Sequence, residues 1–502
     1  MSSFTSAQAS SQIINEGLAL AQRWIAAGPK QLLIDGKWVP ARSDRTIQSI
    51  NPATEEVLAE IAEGDAADVD AAVAAARRAF ESSSWRGISP HVRSRYLLHI
   101  ADAIEKNAAE LAALESLDNG MPIWLATAAV GMTVDAFRYY AGWPTKIMGT
   151  TNPTDETAFI FTLREPVGVC GQINPWNVPM LLIALKIAPP LACGNTVVLK
   201  PSELCSLTTL RVAELIQETG LPPGVVNIVT GYGSTVGSAI SGHEGIDKVS
   251  FTGSTAVGKM ILQASCGNMK RTTLELGGKT PNILFADADL EKAIPRAVLG
   301  FTMNSGQICS SGTRIFVQES ILDEVTEKIT RFTAAQKVGS PFDPDTKLGP
   351  LVSGTQLNRV LSYVEAGLEA GAQLTTGGER LPGKGYFLAP TVFSRADNQM
   401  KMAREEIFGP VTAIIPFKDE ADVIAMANDS TYGLAGGIWT QNVSRAHRMA
   451  RAIRGGRIWV NTFGETDSVM PFGGFKQSGL GREFGIDSIM TYTETKSVMF
   501  RF

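Results

Sequence analysis

Residues 167–200 read VGVCGQINPWNVPMLLIALKIAPPLACGNTVVLK, and this stretch decides the fold class. The apolar run VGVCGQI predicts a buried strand, an apolar helix follows over about 178–192, and NTVVLK predicts the next strand. The alternation continues as the helix TTLRVAELIQETG, the strand VVNIVTG, a short helix near 235–241, the strand KVSFTG and a helix that starts in STAVGKMILQA. Short strands that alternate with helices are typical of an α/β fold with a doubly wound parallel sheet.

The rest of the chain contains a second alternating region and several less regular segments. The second region runs from near Pro281 to about residue 480 and contains the strands TRIFV, VTAIIPF, GGIWT and GRIWV. Helical spacing occurs at 67–81 and 91–115, and the N-terminal MSSFTSAQASSQIINEGLALAQRW is interpreted as a flexible lead-in that runs into a surface helix.

Two segments alternate with period two, as half-exposed strands do: 150–165 and the C-terminal TYTETKSVMFRF. A terminal strand is stable only when it is paired, so we expect the last strand to join a neighbouring subunit's sheet.

Composition and charge exclude several classes of protein. Hydrophobic residues make up 44% and charged residues 19% of the chain, and the formal net charge is -5, which favours an ordinary globular protein and gives no basis for binding nucleic acid or a membrane surface. No apolar run approaches the length of about 18 residues that a membrane span needs. The N-terminus lacks a signal-peptide pattern and is poor in Arg, so we expect a cytoplasmic location.

The five cysteines form no CxxC pair, and the four histidines are scattered along the chain. We therefore expect neither a disulfide framework nor a metal site. Cys170 and Cys193 lie in apolar segments and are interpreted as small buried hydrophobes.

Two motifs lie where a parallel sheet binds ligands. In GSTAVGK, Gly253 permits a tight turn and Ser254 begins a helix whose free N–H groups favour a phosphate, although such a Ser is usually only a helix cap. In KPSE, Lys200 and Glu203 follow a strand, where a carboxylate can hold ribose hydroxyls. The same motif is explained equally well as a loop interrupted by Pro that carries two solvated charges.

Three residues are candidates for chemistry. Cys309, in GQICSSGTR, is a candidate thiol nucleophile, although most lone cysteines are inert. Glu275, in TLELGGK, lies in an apolar segment where burial raises a carboxyl pKa and suits a general base. The rigid loop NPWNVP can point the Asn177 amide at one spot, as an oxyanion donor requires.

Taken together, these motifs and their order resemble the aldehyde dehydrogenase superfamily. The resemblance extends from IDGKW near residue 34 to the C-terminus and includes RYYAGW, PWN, KPSE, FTGSTAVGK, LELGGK, GQIC, EEIFGPV and PFGGFKQSGLGRE. The chain is most similar to the large tetrameric branch that contains the retinal, acetaldehyde and phenylacetaldehyde enzymes.

The resemblance implies a division of the chain into three parts. A Rossmann-like NAD-binding domain is expected at 1–147 and 167–278, and an α/β catalytic domain at 279–480. A small β element for oligomerisation is expected at 148–166 and 481–502, the two segments pairing with each other. The resemblance also implies a homotetramer built as a dimer of dimers.

The resemblance assigns catalytic roles to the three candidates. Cys309 is expected to attack the aldehyde, while the Asn177 amide and the Cys309 backbone N–H hold the oxyanion. After hydride leaves for the nicotinamide, Glu275 is expected to activate the water that hydrolyses the thioester. Lys186 and Glu483 match positions proposed as an outer proton relay.

For the cofactor, the resemblance implies NAD, with NADP also possible because the repulsion of a 2′-phosphate by Glu203 discriminates only softly. The implied cofactor residues are Trp176, Lys200, Ser202, Glu203, Gly233, Gly253, Ser254, Gly258, Glu406 and Phe408.

The positions that match the substrate pocket carry mainly aliphatic side chains: Met132, Val178, Leu182, Leu185, Met303, Ile308, Ser310, Phe463 and Thr466. We expect a roomy apolar cavity with no Arg or Lys placed to receive a carboxylate, and hence bulky hydrophobic aldehydes, arylalkyl or terpenoid, as substrates.

Alternatives to this function are a broad-specificity aldehyde dehydrogenase of detoxification, an acylating enzyme that passes the thioester to coenzyme A, and a catalytically silent, crystallin-like structural protein. The presence of Glu275 argues against the acylating enzyme, and the intact set of Cys309, Glu275 and Asn177 argues against the silent protein.

Overall fold

The computed structural model describes residues 7–502 of the chain. The expected flexible lead-in falls partly on residues 1–6, which lie outside the described residues. The helices are α1 Ala7–Ala26, α2 Ala66–Glu81, α3 Pro90–Lys106, α4 Ala108–Asn119, α5 Ile123–Ala141, α6 Pro179–Cys193, α7 Leu207–Glu218, α8 Ser238–Gly242, α9 Thr255–Ala264, α10 Leu290–Thr302, α11 Leu322–Ala334, α12 Gly354–Glu369, α13 Lys401–Arg404, α14 Glu420–Asn428, α15 Val443–Ala452 and α16 Gly485–Thr491.

The strands are β1 Leu32–Ile34, β2 Lys37–Val39, β3 Thr46–Ile50, β4 Val57–Ala62, β5 Thr151–Asn152, β6 Ala158–Pro166, β7 Val169–Ile173, β8 Thr196–Lys200, β9 Val226–Ile228, β10 Lys248–Thr252, β11 Arg271–Glu275, β12 Pro281–Leu284, β13 Arg314–Gln318, β14 Gln373–Thr376, β15 Thr391–Ser394, β16 Val411–Phe417, β17 Tyr432–Gly433, β18 Ala435–Trp439, β19 Arg457–Val460, β20 Phe475–Lys476, β21 Gly479–Leu480 and β22 Thr493–Arg501.

The first large sheet has the strand order β2-β1-β9-β8-β7-β10-β11-β21. The central strands β9, β8, β7, β10 and β11 run parallel, which confirms the predicted α/β sheet, whereas β1, β2 and β21 pair antiparallel at the edges. The strand order reverses at β7, since β8 and β9 extend the sheet on one side and β10 and β11 on the other. Open α/β sheets bind ligands beyond the carboxyl ends of their strands at such a reversal.

The second large sheet has the order β14-β15-β16-β13-β12-β18-β19, and every neighbouring pair except β14 with β15 is parallel. Its strands include the predicted TRIFV, VTAIIPF, GGIWT and GRIWV. Each sheet has its own apolar cluster, so the second alternating region predicted from the sequence is confirmed.

A three-stranded sheet with the order β22-β6-β5 joins the C-terminus to the middle of the chain. Strands β22 and β6 are antiparallel, from Thr493 opposite Pro166 to Arg501 opposite Ala158. The pairing that the terminal strand requires is therefore supplied by its own chain, as expected for the segment 148–166. Joining a neighbouring subunit's sheet stays a prediction, and so do the three domain boundaries.

The helical spacing at 91–115 is confirmed, but two helices share the segment, because α3 ends at Lys106 and α4 begins at Ala108. At Asn107 the backbone has φ -105° and ψ 19°, and the side-chain amide donates to the carbonyl of Ala103 at 2.8 Å. Asn competes for backbone hydrogen bonds in this way and so interrupts helices.

Across residues 7–502, no helix combines the length and the apolar character that crossing a membrane requires. Within the same residues, no group of three or more His, Cys, Asp and Glu side chains is arranged to hold a metal ion.

Candidate active site

A cavity of about 340 Å³ lies where the carboxyl ends of the first sheet meet the amino ends of strands in the second. Loops after β7, β10 and β11 supply one side of it, and the segments before β13 and β16 supply the other. Cys309, Glu275 and Asn177 all line this cavity. Three motifs far apart in sequence are therefore brought to one place.

Cys309 follows a strained turn. Asn304 and Ser305 have φ values of 48° and 55°, a region that costs residues other than Gly about 1–3 kcal/mol each, and Gly306 continues at 74°. The Ser305 hydroxyl donates to the carbonyl of Gly349 at 2.7 Å, which helps to hold the turn. Burial is the main cause that raises the pKa of the half-buried Cys309 thiol to about 12, with the carboxylates Glu406 and Glu275 adding to it.

Asn177 is held to this turn by two hydrogen bonds, one donated by its side chain and one accepted by its backbone carbonyl. Its Nδ2 donates to the carbonyl of Gln307 at 2.8 Å, and its own carbonyl accepts from Asn304 Nδ2 at 2.6 Å. The Gln307 side chain donates to the Asn304 carbonyl and accepts from Val352 N, at 3.0 and 2.9 Å. The amide of Asn177 and the segment leading to Cys309 therefore form one fixed unit.

Glu275 ends strand β11 and is 2% exposed. Among the described residues, neither oxygen of its carboxyl group has a hydrogen-bond partner. Burial, followed by the negative charge of Glu483, raises the pKa of Glu275 well above its ordinary value. A carboxyl group in this state is a strong base when it is ionised.

Gly277 and Gly278, which follow Glu275 and Leu276, are glycines because other atoms approach their backbone too closely to leave room for a side chain. A Cβ atom at Gly277 would lie 2.3 Å from Glu406 Oε2, and one at Gly278 would lie 2.5 Å from the Cys309 carbonyl oxygen. The motif LELGGK therefore brings the backbone of the candidate nucleophile against the strand that carries the candidate base.

Behind Glu275 lies a buried ion pair. Lys186 on α6 is fully buried and pairs with Glu483, which also lines the cavity. Lys186 Nζ donates in addition to Ser250 Oγ at 2.8 Å. The two residues expected to form an outer relay are thus in direct contact, and Glu483 connects them to the cavity.

The loops after β8 and β9 carry a second ionic feature. Lys200 Nζ lies 2.9 Å from Glu203 Oε2; the Lys200 side chain is 2% exposed and that of Glu203 29%. Burial lowers the pKa of Lys200, and although burial alone raises that of Glu203, the neighbouring Lys200 and the Gly233 backbone bring it below its usual value. Ser202, which lies between the two in sequence, is buried. The Glu203 carboxylate is therefore ionised and partly open to solvent.

The loop after β10 ends in a capped helix. The Ser254 hydroxyl accepts from Val257 N at 3.3 Å, so Ser254 is the N-cap of α9, and both Gly253 and Ser254 line the cavity. A Cβ at Gly258 would lie 2.6 Å from a methyl group of Leu276, so Gly258 allows α9 to pack against the loop after β11.

Glu406 and Phe408 border the cavity from the second sheet's side. Glu406 Oε1 accepts from Gly278 N at 3.1 Å, and burial raises the pKa of Glu406 to about 7. The ring of Phe408 meets the ring of Trp176 edge to face, with centroids 5.2 Å apart. Of the predicted cofactor residues, Trp176, Gly253, Ser254, Glu406 and Phe408 line the cavity. The remaining five lie at the end of β8, on the segments that follow β8 and β9, and on α9.

The predicted substrate-pocket residues all line the same cavity: Met132, Val178, Leu182, Leu185, Met303, Ile308, Ser310, Phe463 and Thr466. One part of the expectation is wrong. No Arg or Lys placed to receive a carboxylate was expected here, yet Arg457, the first residue of β19, and Arg359 on α12 line the cavity. Arg457 follows two glycines at a strand start, a position that usually holds a solvated charge, but it is 2% exposed.

Sequence reasoning also missed the residues that hold the reactive ones in place. Asn304 and Gln307 clasp Asn177, and Asn119 Nδ2 donates to the Trp176 carbonyl at 2.6 Å. Gln307 stands in the GQIC motif, but Asn119 ends a helix more than fifty residues before PWN. Nothing in the local pattern of Asn119 indicates its contact.

The comparisons with known proteins cover nearly the whole chain. The sequence model of the aldehyde dehydrogenase family matches residues 38–498. Retinal dehydrogenase 2 of Homo sapiens is 47% identical over 472 residues, which are 93% of this chain and 91% of that protein. The mitochondrial benzaldehyde dehydrogenase of Antirrhinum majus is 46% identical over 471 residues, 93% of this chain and 88% of that protein. The NAD+ complex structure of aldehyde dehydrogenase from Bacillus cereus is similar with a TM-score of 0.95 and 45% identity, covering 96% of this chain and 98% of that one.

Proposed function

Since the chain belongs to the aldehyde dehydrogenase family and is therefore an oxidoreductase, we propose that it oxidises bulky hydrophobic aldehydes to carboxylic acids with NAD. The observation that carries the proposal is the meeting of Cys309, Asn177 and Glu275 on one largely apolar cavity. A thiol, an amide donor and a buried carboxyl base are the groups that acyl transfer through a thioester needs.

In the first step the Cys309 sulfur bonds to the aldehyde carbon. Because the thiol pKa is raised to about 12, Cys309 needs a base that removes its proton, and Glu275 has the raised pKa that suits this task. The carbonyl oxygen gains negative charge as the bond forms. Asn177 Nδ2 carries two hydrogens, of which one is used by Gln307, so the second can donate to that oxygen together with the Cys309 backbone N–H.

The residues beside the cavity fit a nicotinamide dinucleotide. When bound, NAD supplies the acceptor for the hydride that leaves the aldehyde carbon. Glu203 would accept from ribose hydroxyls beside Lys200, and its ionised carboxylate would repel a 2′-phosphate, which favours NAD over NADP. The N-terminus of α9 at Ser254 would hold the pyrophosphate. Trp176, Glu406 and Phe408 would border the nicotinamide end. The Bacillus cereus relative has been solved in an NAD+ complex.

In the second half of the reaction, water attacks the Cys309 thioester, the carbon–sulfur bond breaks and the carboxylic acid leaves. Glu275 removes a proton from that water. The proton then has to leave a buried site, and its proposed acceptor is Glu483, which lines the same cavity and pairs with Lys186.

The walls of the cavity support the proposed substrate class. Met132, Leu182, Leu185 and Met303 are apolar and flexible or branched, so they accommodate a bulky hydrocarbon body and offer it no charge. Two relatives are named for retinal and for benzaldehyde, a terpenoid and an aromatic aldehyde. Arylalkyl and terpenoid aldehydes are therefore the proposed substrates.

We further propose that four chains assemble as a homotetramer. The β22-β6-β5 sheet exposes Phe159, Leu163, Met499 and Phe500, an apolar surface that a second subunit would cover. The boundaries 148–166 and 481–502 for this oligomerisation element belong to the same proposal.

The test is NADH formation, followed by absorbance, from a panel of aldehydes with the wild type and Cys309→Ser. Cys266→Ser is the matched control, because Cys266 is an exposed free cysteine away from the cavity. We expect turnover of phenylacetaldehyde and citral that is lost in Cys309→Ser and unchanged in Cys266→Ser. Equal catalytic efficiency on acetaldehyde, citral and phenylacetaldehyde would instead indicate a broad-specificity enzyme, and acid formation that survives in Cys309→Ser would contradict the mechanism.

A further inference from the structure

Arg457 is a buried cation without an ion pair. Its side chain lines the cavity, and within residues 7–502 no carboxylate lies within ion-pairing distance of it. Three neutral oxygens hold the guanidinium: Nη1 donates to Thr466 Oγ1 at 3.1 Å, and Nη2 donates to the carbonyls of Met470 and Pro471 at 2.6 and 3.2 Å. Among the described residues, Nε is buried and has no partner at all.

Arg314 shows what a purely structural arginine looks like in the same sheet. It is also the first residue of its strand, β13, and is also almost fully buried. Its five N–H groups donate to the carbonyls of Lys279, Met426 and Ala427 and to Asn398 Oδ1, so that no nitrogen is left over. A buried donor that has lost its water and gained no partner destabilises the fold, so the unused Nε of Arg457 indicates an acceptor from outside the chain.

We propose that Arg457 is a specificity-determining residue whose Nε–H donates to an oxygen atom carried by the body of the aldehyde substrate. This inference rests on the proposed function, because the cavity it concerns is the one that receives the aldehyde. The ligand class is narrower than a plain hydrocarbon aldehyde: an apolar, largely aromatic body that bears one phenolic or carboxylate oxygen.

The surroundings of the guanidinium define that class. The rings of Phe472 and Phe484 lie 4.8 and 5.9 Å from the guanidinium carbon and line the cavity beside it. An aromatic substrate body can pack against these rings. Thr466, Met470 and Pro471 use three of the five N–H groups of the guanidinium, so Nε–H and one hydrogen of Nη1 are left for an acceptor oxygen of the substrate.

The Arg457 guanidinium also stays charged when no substrate is bound. Burial lowers the pKa of Arg457 to about 10, and the charges of Cys309 and Glu275 oppose that effect. A cation in a largely apolar cavity binds an oxygen with negative or partial negative charge more strongly than a neutral donor would.

The experiment measures kcat/KM for phenylacetaldehyde and for its 3- and 4-hydroxy and 3- and 4-carboxy derivatives. In the wild type, the best oxygen-bearing derivative is expected to exceed phenylacetaldehyde by about 10- to 100-fold. In Arg457→Met this ratio is expected to fall to 1 or below while phenylacetaldehyde itself is still oxidised. Arg457→Lys keeps the charge, so a carboxylate ligand would retain part of its advantage and a phenolic ligand would lose it.

The outcomes separate this inference from the proposed function. If the wild-type enzyme prefers phenylacetaldehyde to every oxygen-bearing derivative, the proposed role of Arg457 is wrong. This result does not depend on whether any variant folds. An equal loss for all five aldehydes in Arg457→Lys, with a shifted pH profile, would mean that Arg457 acts on Cys309 or Glu275 instead and would also overturn it. If no aldehyde yields NADH with the wild type, the proposed function itself has failed.

Discussion

The reactive side of the cavity and its substrate side are built in different ways. Cys309, Glu275 and Asn177, the residues proposed for catalysis, form the reactive side: Glu275 ends a strand, Cys309 follows a strained turn, and Asn177 lies in the loop between β7 and α6, where hydrogen bonds hold it to that turn. The substrate side consists of side chains from helices such as α5 and α6, which contribute Met132 and Leu182 through ordinary packing. The difference teaches that the proposed reactivity depends on exact backbone positions, whereas the selectivity of the helical walls depends on the volume that their side chains leave. Changes on the two sides should therefore have different signatures.

The largest effect is expected from Glu275→Gln on the reactive side. In the proposed mechanism Glu275 deprotonates both Cys309 and the hydrolytic water, so steady-state turnover should fall by about 10²- to 10⁴-fold for every aldehyde alike. Any burst of NADH that precedes this slow turnover should not exceed one equivalent per active site. Stopped-flow absorbance at high enzyme concentration measures both quantities.

Glu115→Gln is the control for this experiment. Glu115 is a fully buried carboxyl group with a pKa raised to about 7 by burial, and it does not line the cavity. Turnover of Glu115→Gln should stay within a few-fold of the wild type. If the loss of turnover in Glu275→Gln depended on the size of the aldehyde, the distinction between the two sides of the cavity would be wrong. Glu275 would then belong with the residues that limit the volume of the substrate.

The two sides also differ in how far the sequence predicts them. PWN, LELGGK and GQIC are local patterns that make Asn177, Glu275 and Cys309 candidates, and the family resemblance assigns them their expected roles without any structure. The wall residues follow from a whole-chain resemblance. Neither source finds Arg457, since a residue after two glycines at a strand start is buried only because Thr466 and the 470–471 backbone fold over it. Asn119 and the helix break at Asn107 likewise depend on contacts and cap geometry that no periodicity encodes.

A smaller and selective effect is expected from Met132→Trp on the substrate side. Met132 is half-buried on α5, and a larger side chain there reduces the volume for a bulky aldehyde. The kcat/KM for citral should fall by about 10- to 100-fold, while that for acetaldehyde should hardly change. Ala128→Trp is the control, because Ala128 is exposed on the same helix and does not line the cavity. Equal losses for both aldehydes would show that Met132 affects the chemistry and not the available volume.

The smallest effect concerns Glu483, which lies behind the reactive side and touches it only through charge. After burial, the negative charge of Glu483 is the next cause that raises the pKa of Glu275, whereas Lys186 lowers it. In Glu483→Gln the raising charge is gone and Lys186 remains, so the pKa of Glu275 should fall. A base with a lower pKa stays ionised to lower pH, and the acid limb of the kcat profile should therefore move to lower pH. The measurement is kcat for one aldehyde as a function of pH, with Glu494→Gln, an exposed carboxylate on β22, as the control that should leave the limb in place. If the acid limb of the kcat profile stays in place or moves to higher pH in Glu483→Gln, Glu483 does not raise the pKa of Glu275. Its role would then be limited to its ion pair with Lys186.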